Sequence, residues 1–211
     1  MKVGVIDYGV GNLGSVVQAL EELRVTPILI DRAVDMHTAD CLILPGVGSF
    51  TDCKALLDRG GWTSALTEEV TGYGKPLLGI CLGMQLLADF GMEGAEDEVG
   101  TPGLGFVPGK VCSLGSLGCT YRVPHMGWNA ITVARQASLL RGIPDGTDFY
   151  FVHSYAFVPR NPSDVLAVTD YDIPVAAVVG KGHVWGTQFH PEKSSRAGFK
   201  VLRNFFESPV C

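Results

Sequence analysis

The chain has no basic excess, no run of like charge, no long apolar run and no paired-cysteine motif, and each absence removes a class of function. Lysine and arginine number 16 against 22 aspartates and glutamates, for a formal net charge of −6. A nucleic-acid binder would show the opposite balance, so none is expected as a partner. No block of one charge sign marks an interaction tail. No apolar stretch approaches the ~20 residues that span a bilayer, so no membrane partner is expected. The six cysteines, at 41, 53, 81, 112, 119 and 211, include no C-x-x-C pair, so neither zinc nor another metal is expected. Met1 to Asp7 reads as a strand rather than the apolar core of a signal peptide. These features predict a cytoplasmic protein with reduced thiols. With no internal repeat and no linker, the 211 residues fit one α/β domain, 1–211, with a full core.

What the chain does have is glycine, 27 residues, roughly twice the ~7% average. Two of these glycines frame the stretch that organises the rest. Lys75 to Ile80 is an apolar run entered by Pro76, and it reads as a buried strand. Leu82 to Ala88 carries helix formers at helical spacing. Cys81 sits at the join with Gly79 and Gly83 two residues to either side. Small neighbours permit a sharp strand-to-helix turn that exposes one side chain, the pattern of a nucleophile elbow. A thiol beside a helix N-terminus is biased toward thiolate. Two further stretches supply what a thiolate needs. His190 and Glu192 stand two residues apart after the strand-like run His183 to Phe189. Leu42 to Leu44 is an apolar strand ending in the turn Pro45-Gly46-Val47-Gly48, a source of backbone amides.

The motifs GICLGMQ around Cys81 and QFHPE around His190 and Glu192 resemble the class I, triad-type glutamine amidotransferases. The nearer likeness is to the glutaminase subunits of imidazole glycerol phosphate synthases. It extends to the segments Asp7 to Leu13, Pro45 to Phe50, Pro124 to Asn129, Tyr150 to Tyr155 and His190 to Ser194, in the family's order along nearly the whole chain. The resemblance implies hydrolysis of L-glutamine to glutamate and ammonia, with Cys81 as nucleophile, His190 as acid and base, and Glu192 orienting the imidazole. The Leu82 amide, at the start of the helix, is one candidate oxyanion donor; by resemblance Val47 supplies the second. Gln85, four residues after Cys81, shares its helix face and is a candidate for the substrate's polar end. Gly48, Ser154 and Tyr155 match substrate-pocket positions. The resemblance implies no cofactor. It implies a heterodimer with a (β/α)₈-barrel cyclase that consumes the ammonia in histidine biosynthesis, with Asn12, Trp128 and Lys193 facing that partner.

Other readings compete. Gly9-Val10-Gly11-Asn12-Leu13-Gly14 has the letters of a dinucleotide fingerprint, with Asp31 about 20 residues on; that reading leaves the Cys, His and Glu motifs unexplained. A triad glutaminase serving another acceptor, or a non-catalytic look-alike subunit, would share most of the pattern.

Periodicity predicts strands at Lys2–Asp7, Thr26–Ile30 and Asp40–Leu44, a helix from Leu13 through Leu23, and one long helix over Phe50–Thr71. Residues 91–102 read as an acidic surface loop. Beyond Gly103, short runs including Lys110–Cys112, Thr120–Val123, Phe149–Val152 and Val165–Val168 suggest antiparallel strands. Val175–Val179 and His183–Phe189 flank a hairpin turn, and Ala197–Glu207 reads as a closing helix. The glycine-rich segment Cys112–Tyr121 has no evident role. The sum is a three-layer α/β/α sandwich around a twisted, mixed, largely parallel sheet, flavodoxin-like in class.

Overall fold

Four apolar runs near the N-terminus become neighbouring parallel strands: Lys2–Ile6 (β1), Thr26–Ile30 (β2), Cys41–Leu44 (β3) and Leu77–Ile80 (β4). In this computed structural model, which describes residues 1–207, β3 and β4 are buried at every position. That burial on both faces is why their sequences do not alternate. Pro27 lies in β2, the outermost strand of the sheet, where a missing N–H is tolerated. Leu13–Glu22 (α1) connects β1 to β2.

The predicted helix over Phe50–Thr71 is instead two helices, Phe50–Arg59 (α2) and Trp62–Thr67 (α3), followed by a wide turn through Gly72. The break falls at Gly60-Gly61, where Gly61 adopts φ 71°. A Cβ at Gly60 would lie 2.4 Å from the Trp62 ring, so the chain bends to seat that indole in the core. Ser49 caps α2 by accepting from the Asp52 amide at 3.3 Å.

After the elbow the helix is shorter than its sequence suggests, Leu82–Gln85 (α4). The carbonyls of Leu86, Leu87 and Ala88 accept instead from the amides of Leu104, Val107 and Gly105, at 2.8, 3.1 and 2.9 Å. The next strands are Phe90–Gly91 (β5), Thr101–Pro102 (β6), Gly109–Ser113 (β7), His125–Val133 (β8), Thr147–His153 (β9), Tyr155–Pro159 (β10), Val165–Tyr171 (β11), Ile173–Lys181 (β12) and Val184–Thr187 (β13). Ser195–Glu207 (α5) closes the described chain. Strand β8 was not anticipated. Its residues are mostly exposed or half-exposed, so it shows no apolar run. Thr120–Val123, expected as a strand, is irregular; the Thr120 amide and hydroxyl both donate to Asp172. Residues 91–102 are not wholly loop, because β5 and β6 begin and end them.

Two sheets result. The larger has the order β2-β1-β3-β4-β13-β12-β11-β8-β9, parallel from β2 to β13 and antiparallel beyond. α1 and α5 pack on one face, around Leu20, Leu202 and Phe205, while α2, α3 and α4 pack on the other, around Phe50, Leu57, Leu66 and Met84. The smaller sheet, β10-β7-β5-β6, was not foreseen. The glycine-rich segment Cys112–Tyr121 serves it: Leu114 and Cys119 form a small separate core with Ala156 and Val175. The chain passes from the larger sheet to the smaller at Ser154, between β9 and β10. No described helix is long and apolar enough to cross a membrane.

β3, β4 and β13 are adjacent and in parallel register, with Leu44 opposite Gly79 and Ile80 opposite Thr187. Their C-terminal ends therefore deliver the glycine turn, Cys81 and the His190 segment to one edge, where α/β folds hold ligands. This arrangement requires glycine at 83, since a Cβ there would lie 1.8 Å from the Leu44 carbonyl oxygen. Gly83→Ala should cost at least about 3 kcal/mol. Gly14→Ala, in α1 with nothing within 4 Å of the new Cβ, should stabilise by about 0.5–1 kcal/mol. Urea unfolding of both variants checks the contrast.

Candidate active site

Cys81 has φ 54° and ψ −109°, a conformation that costs a non-glycine residue about 1–3 kcal/mol and persists only where its surroundings enforce it. The enforcement is visible on both sides. The Cys81 amide donates to the Thr187 carbonyl at 2.7 Å, and the Cys81 carbonyl accepts from the Gln85 amide at 3.2 Å. A Cβ at Gly79 would lie 2.5 Å from the Gly83 carbonyl oxygen. The elbow closes only because neither glycine has a side chain.

His190 follows β13, with its amide donating to the Tyr150 carbonyl at 2.9 Å. Pro191 opens a tight turn, Pro191–Lys193, that folds Glu192 back beside the imidazole. His190 Nδ1 and Glu192 Oε1 are 2.8 Å apart, and the Glu192 side chain is 1% exposed. Burial opposes a charge on His190. Its hydrogen bonds to Cys81 and Glu192, and their negative charge, outweigh that and raise its pKa to about 9. The imidazole is thus protonated near neutrality, the state that a cysteine thiolate requires of its partner.

The turn Pro45 to Gly48 packs against the first turn of α4; a Cβ at Gly46 would lie 2.8 Å from the Gly83 amide. Cys53 donates its thiol to the Val47 carbonyl at 3.3 Å, which orients the Val47–Gly48 peptide. Gly48 has φ 101°. Among the described residues neither the Val47 nor the Leu82 amide has a hydrogen-bond acceptor, so both are free to meet a bound oxygen.

A cavity of about 340 Å³ joins these parts, lined by Val47, Gly48, Cys81, Leu82, Gln85, Glu93, Pro124, Val152, His153, Ser154, Tyr155 and His190. It is a fit for a small polar molecule. Glu192 lies behind His190. All the residues predicted for nucleophile, base, oxyanion donors and substrate contacts meet at this one cavity. Gln85 is not a surface residue but 3% exposed. Its Nε2 donates to the Tyr155 carbonyl and to Gln188 Oε1, both at 3.0 Å. Only its Oε1 remains for a bound molecule. A larger cavity, about 770 Å³, opens at the other end of the parallel strands between Val34, Glu69 and Tyr73. Its buried charges are already matched, Lys75 to Glu69 at 2.6 Å and to the Met36 carbonyl at 2.7 Å.

Asn12 stands at the start of α1, beyond the end of β1, with Oδ1 accepting from Ser15 Oγ at 3.0 Å. Lys193 is exposed in the turn after Glu192. Trp128 is 54% exposed on β8, with its ring 6.1 Å from that of Tyr150. Of the three glycines in the fingerprint-like loop only Gly11 is closely packed, since a Cβ there would lie 3.3 Å from the Pro45 ring, whereas one at Gly9 or Gly14 would meet nothing within 4 Å.

Sequence reasoning missed Glu93 and Gln188, and it gave His125 and His153 a structural hydrogen-bonding role, which their contacts show. Glu93 sat in a stretch read as solvated loop, but its Oε2 accepts from the Phe50 amide at 3.1 Å, and burial raises its pKa. His153 is held between two partners. Its Nδ1 donates to the Tyr155 carbonyl at 2.8 Å, and its Nε2 accepts from His125 Nδ1 at 2.9 Å. Asn129 Nδ2 approaches His125 Nε2 at 3.3 Å and donates to the Asp170 carbonyl at 2.8 Å. Burial depresses His153 to about 3 and His125 to about 4, so both are neutral. Among the described residues no cluster of three or more His, Cys, Asp or Glu could hold a metal ion.

Comparison with known proteins adds to this geometry. Residues 4–208 match the family described as glutamine amidotransferase class-I. The imidazole glycerol phosphate synthase subunit HisH of Moorella thermoacetica is 46% identical over 205 residues, 97% of this chain and 94% of that protein. The protein of the same name from Geobacillus sp. (strain WCH70) is 48% identical over 206 residues, 96% and 95% of the two chains. The structure of PurLQS from Thermotoga maritima superposes with a TM-score of 0.74 at 19% identity, over 97% of each chain; that likeness is one of fold.

The histidines predict how stability depends on pH. His125 and His153 have folded pKa values below the ordinary 6.5, so the unfolded chain takes up their protons first. Their contribution is complete above about 6.5 and is lost as pH falls toward 4 and 3. His190 is raised from 6.5 to about 9; its contribution is complete below about 6.5 and is lost as pH rises through 9. Urea midpoints should therefore peak near pH 6.5. His190→Gln should flatten the fall between pH 6.5 and 9 while leaving the acid side in place.

Proposed function

The chain belongs to the class I glutamine amidotransferases and, within them, to the HisH subunits of imidazole glycerol phosphate synthase, and on that premise we propose how its residues release ammonia from L-glutamine. The observation that carries the reading is the 2.8 Å contact between His190 and Glu192 beside a strained Cys81.

The Cys81 thiolate attacks the side-chain carbonyl carbon of glutamine. The carbonyl oxygen takes up the negative charge, met by the amides of Leu82 and Val47. Protonated His190 gives its proton to the departing nitrogen as the carbon–nitrogen bond breaks, leaving a thioester and ammonia. Neutral His190 then removes a proton from water, whose oxygen attacks the thioester; collapse returns the thiolate and releases glutamate. Glu192 holds the imidazole by its far nitrogen and stabilises each imidazolium. Ser154, Tyr155, Gly48 and Gln85 Oε1 surround the amino-acid end of the substrate. Glu93, the only carboxylate among the cavity-lining residues, faces the substrate ammonium.

Free ammonia would be protonated and diluted in bulk water, so the acceptor enzyme must cover this edge. We assign that role to the cyclase subunit of imidazole glycerol phosphate synthase in a heterodimer, docked near Asn12, Trp128 and Lys193. The chain acts as a single domain, 1–211, in the cytoplasm, and hydrolyses glutamine slowly until the cyclase, with its own acceptor bound, is in place.

Cys81→Ala should abolish glutamate formation while leaving the fold intact; wild-type turnover in that variant would remove Cys81 as the nucleophile. Glu192→Gln should reduce kcat less than His190→Ala, since the carboxylate orients while the imidazole moves the proton. Steady-state glutamate assays rank the two. Calorimetric titration with the cyclase should show weaker binding for Lys193→Glu, and undiminished affinity would take Lys193 out of the interface.

A further inference from the structure

The mechanism above gives the Cys81 sulfur one side-chain partner, His190. The structure places a second side chain on it. Gln188 Nε2 lies 3.7 Å from Cys81 Sγ, and the Gln188 side chain is fully buried. Which end of that amide faces the sulfur follows from a backbone atom two links away. The Tyr155 carbonyl can only accept, so the Gln85 atom 3.0 Å from it is the amide nitrogen. The same nitrogen lies 3.0 Å from Gln188, so the atom it meets there is Oε1. The other end of Gln188, an NH₂ group with no acceptor capacity, then necessarily faces Sγ. His153 Nδ1, donating to the same Tyr155 carbonyl at 2.8 Å, helps hold this origin in place.

We propose that Gln188 is a catalytic residue that donates a hydrogen bond to the Cys81 thiolate, and that Gln85 is a positioning residue that fixes the Gln188 amide in the donating orientation. The donation stabilises the sulfur's negative charge in the resting enzyme. It does so again when the second tetrahedral intermediate collapses, the carbon–sulfur bond breaks and sulfur leaves with the electron pair. No proton moves through Gln188; its N–H bond stays intact. The other groups around the sulfur are His190, with Glu192 behind it, neutral His153, Glu93 on the cavity wall, and the Val152 carbonyl 3.7 Å away, to which a protonated thiol donates. Of these only His190 also favours the thiolate directly, and it loses its charge as pH rises. Gln188, being uncharged, acts across the whole range. The proposal rests on Cys81 being the nucleophile.

The test is the pH profile of Cys81 alkylation by iodoacetamide, read by mass mapping in the intact protein. Gln188→Met should move its midpoint up by about one pH unit, the tenfold loss of thiolate expected when a hydrogen bond to a charged group is removed. Gln85→Leu is more discriminating, because residue 85 does not touch the sulfur and leucine adds no charge that would act on it directly. Without the Gln85 donor the Gln188 amide loses its fixed orientation, and the midpoint should rise in the same direction. Unmoved midpoints in both variants overturn the proposal. If either variant fails to fold, the wild-type protein decides: the ¹⁵N side-chain amide signal of Gln188 should shift as Cys81 titrates, and a signal that stays fixed overturns the proposal. Neither failure would touch the nucleophile reading, which falls only if Cys81→Ala still hydrolyses glutamine.

Discussion

The active edge depends on how closely three backbone segments can approach one another. The Leu44 carbonyl, the Gly83 backbone and the Gly46 turn leave no room for a side chain at 83, and little at 46 or 79. That closeness holds Cys81 at a positive φ, so the geometry of this cysteine is set by main-chain packing. It also brings Val47 and Leu82 to the wall of the cavity that His190 lines. Strain in the elbow is sustained by three neighbouring strands, β3, β4 and β13, that are buried at every position.

Two histidine environments on this edge show how the same side chain is driven in opposite directions. His190 has a carboxylate at 2.8 Å and a sulfur beyond it, and holds its proton. His125 and His153 have each other, two rings and neutral hydrogen-bond partners but no carboxylate, and burial strips them of charge; His125 is stacked between Phe151 and Tyr171 at 4.8 and 4.0 Å. Both classes are buried. Partner charge rather than depth separates them.

Much of this was legible in the sequence because its causes are local. The elbow follows from two glycines around a cysteine at a strand-to-helix join. The His190–Glu192 contact follows from an i, i+2 spacing closed by a proline. The parallel half of the larger sheet follows from apolar runs broken by glycine turns. What was not legible depends on residues far apart in the chain. Gln188 and Gln85 are 103 positions apart, and each alone reads as an ordinary polar residue. Glu93 is a capping partner only because β5 brings it to the start of α2. The break at Gly60-Gly61 reflects where Trp62 must go, which helical periodicity on either side does not reveal. The smaller sheet escaped because β5 and β6 have two residues each, too few for any alternation to register.

The crossing at Ser154 has one more consequence. The orientation of the amides beside Cys81 is traced to the carbonyl of Tyr155, the first residue of β10 in the smaller sheet. A carbonyl belongs to whatever residue occupies the position, so exchanging the side chain at 155 leaves this acceptor in place. The setting at the sulfur is therefore insulated from point substitution at its own reference atom. It is exposed instead to anything that slides one sheet along the other, since the acceptor is carried by one and the cysteine by the other.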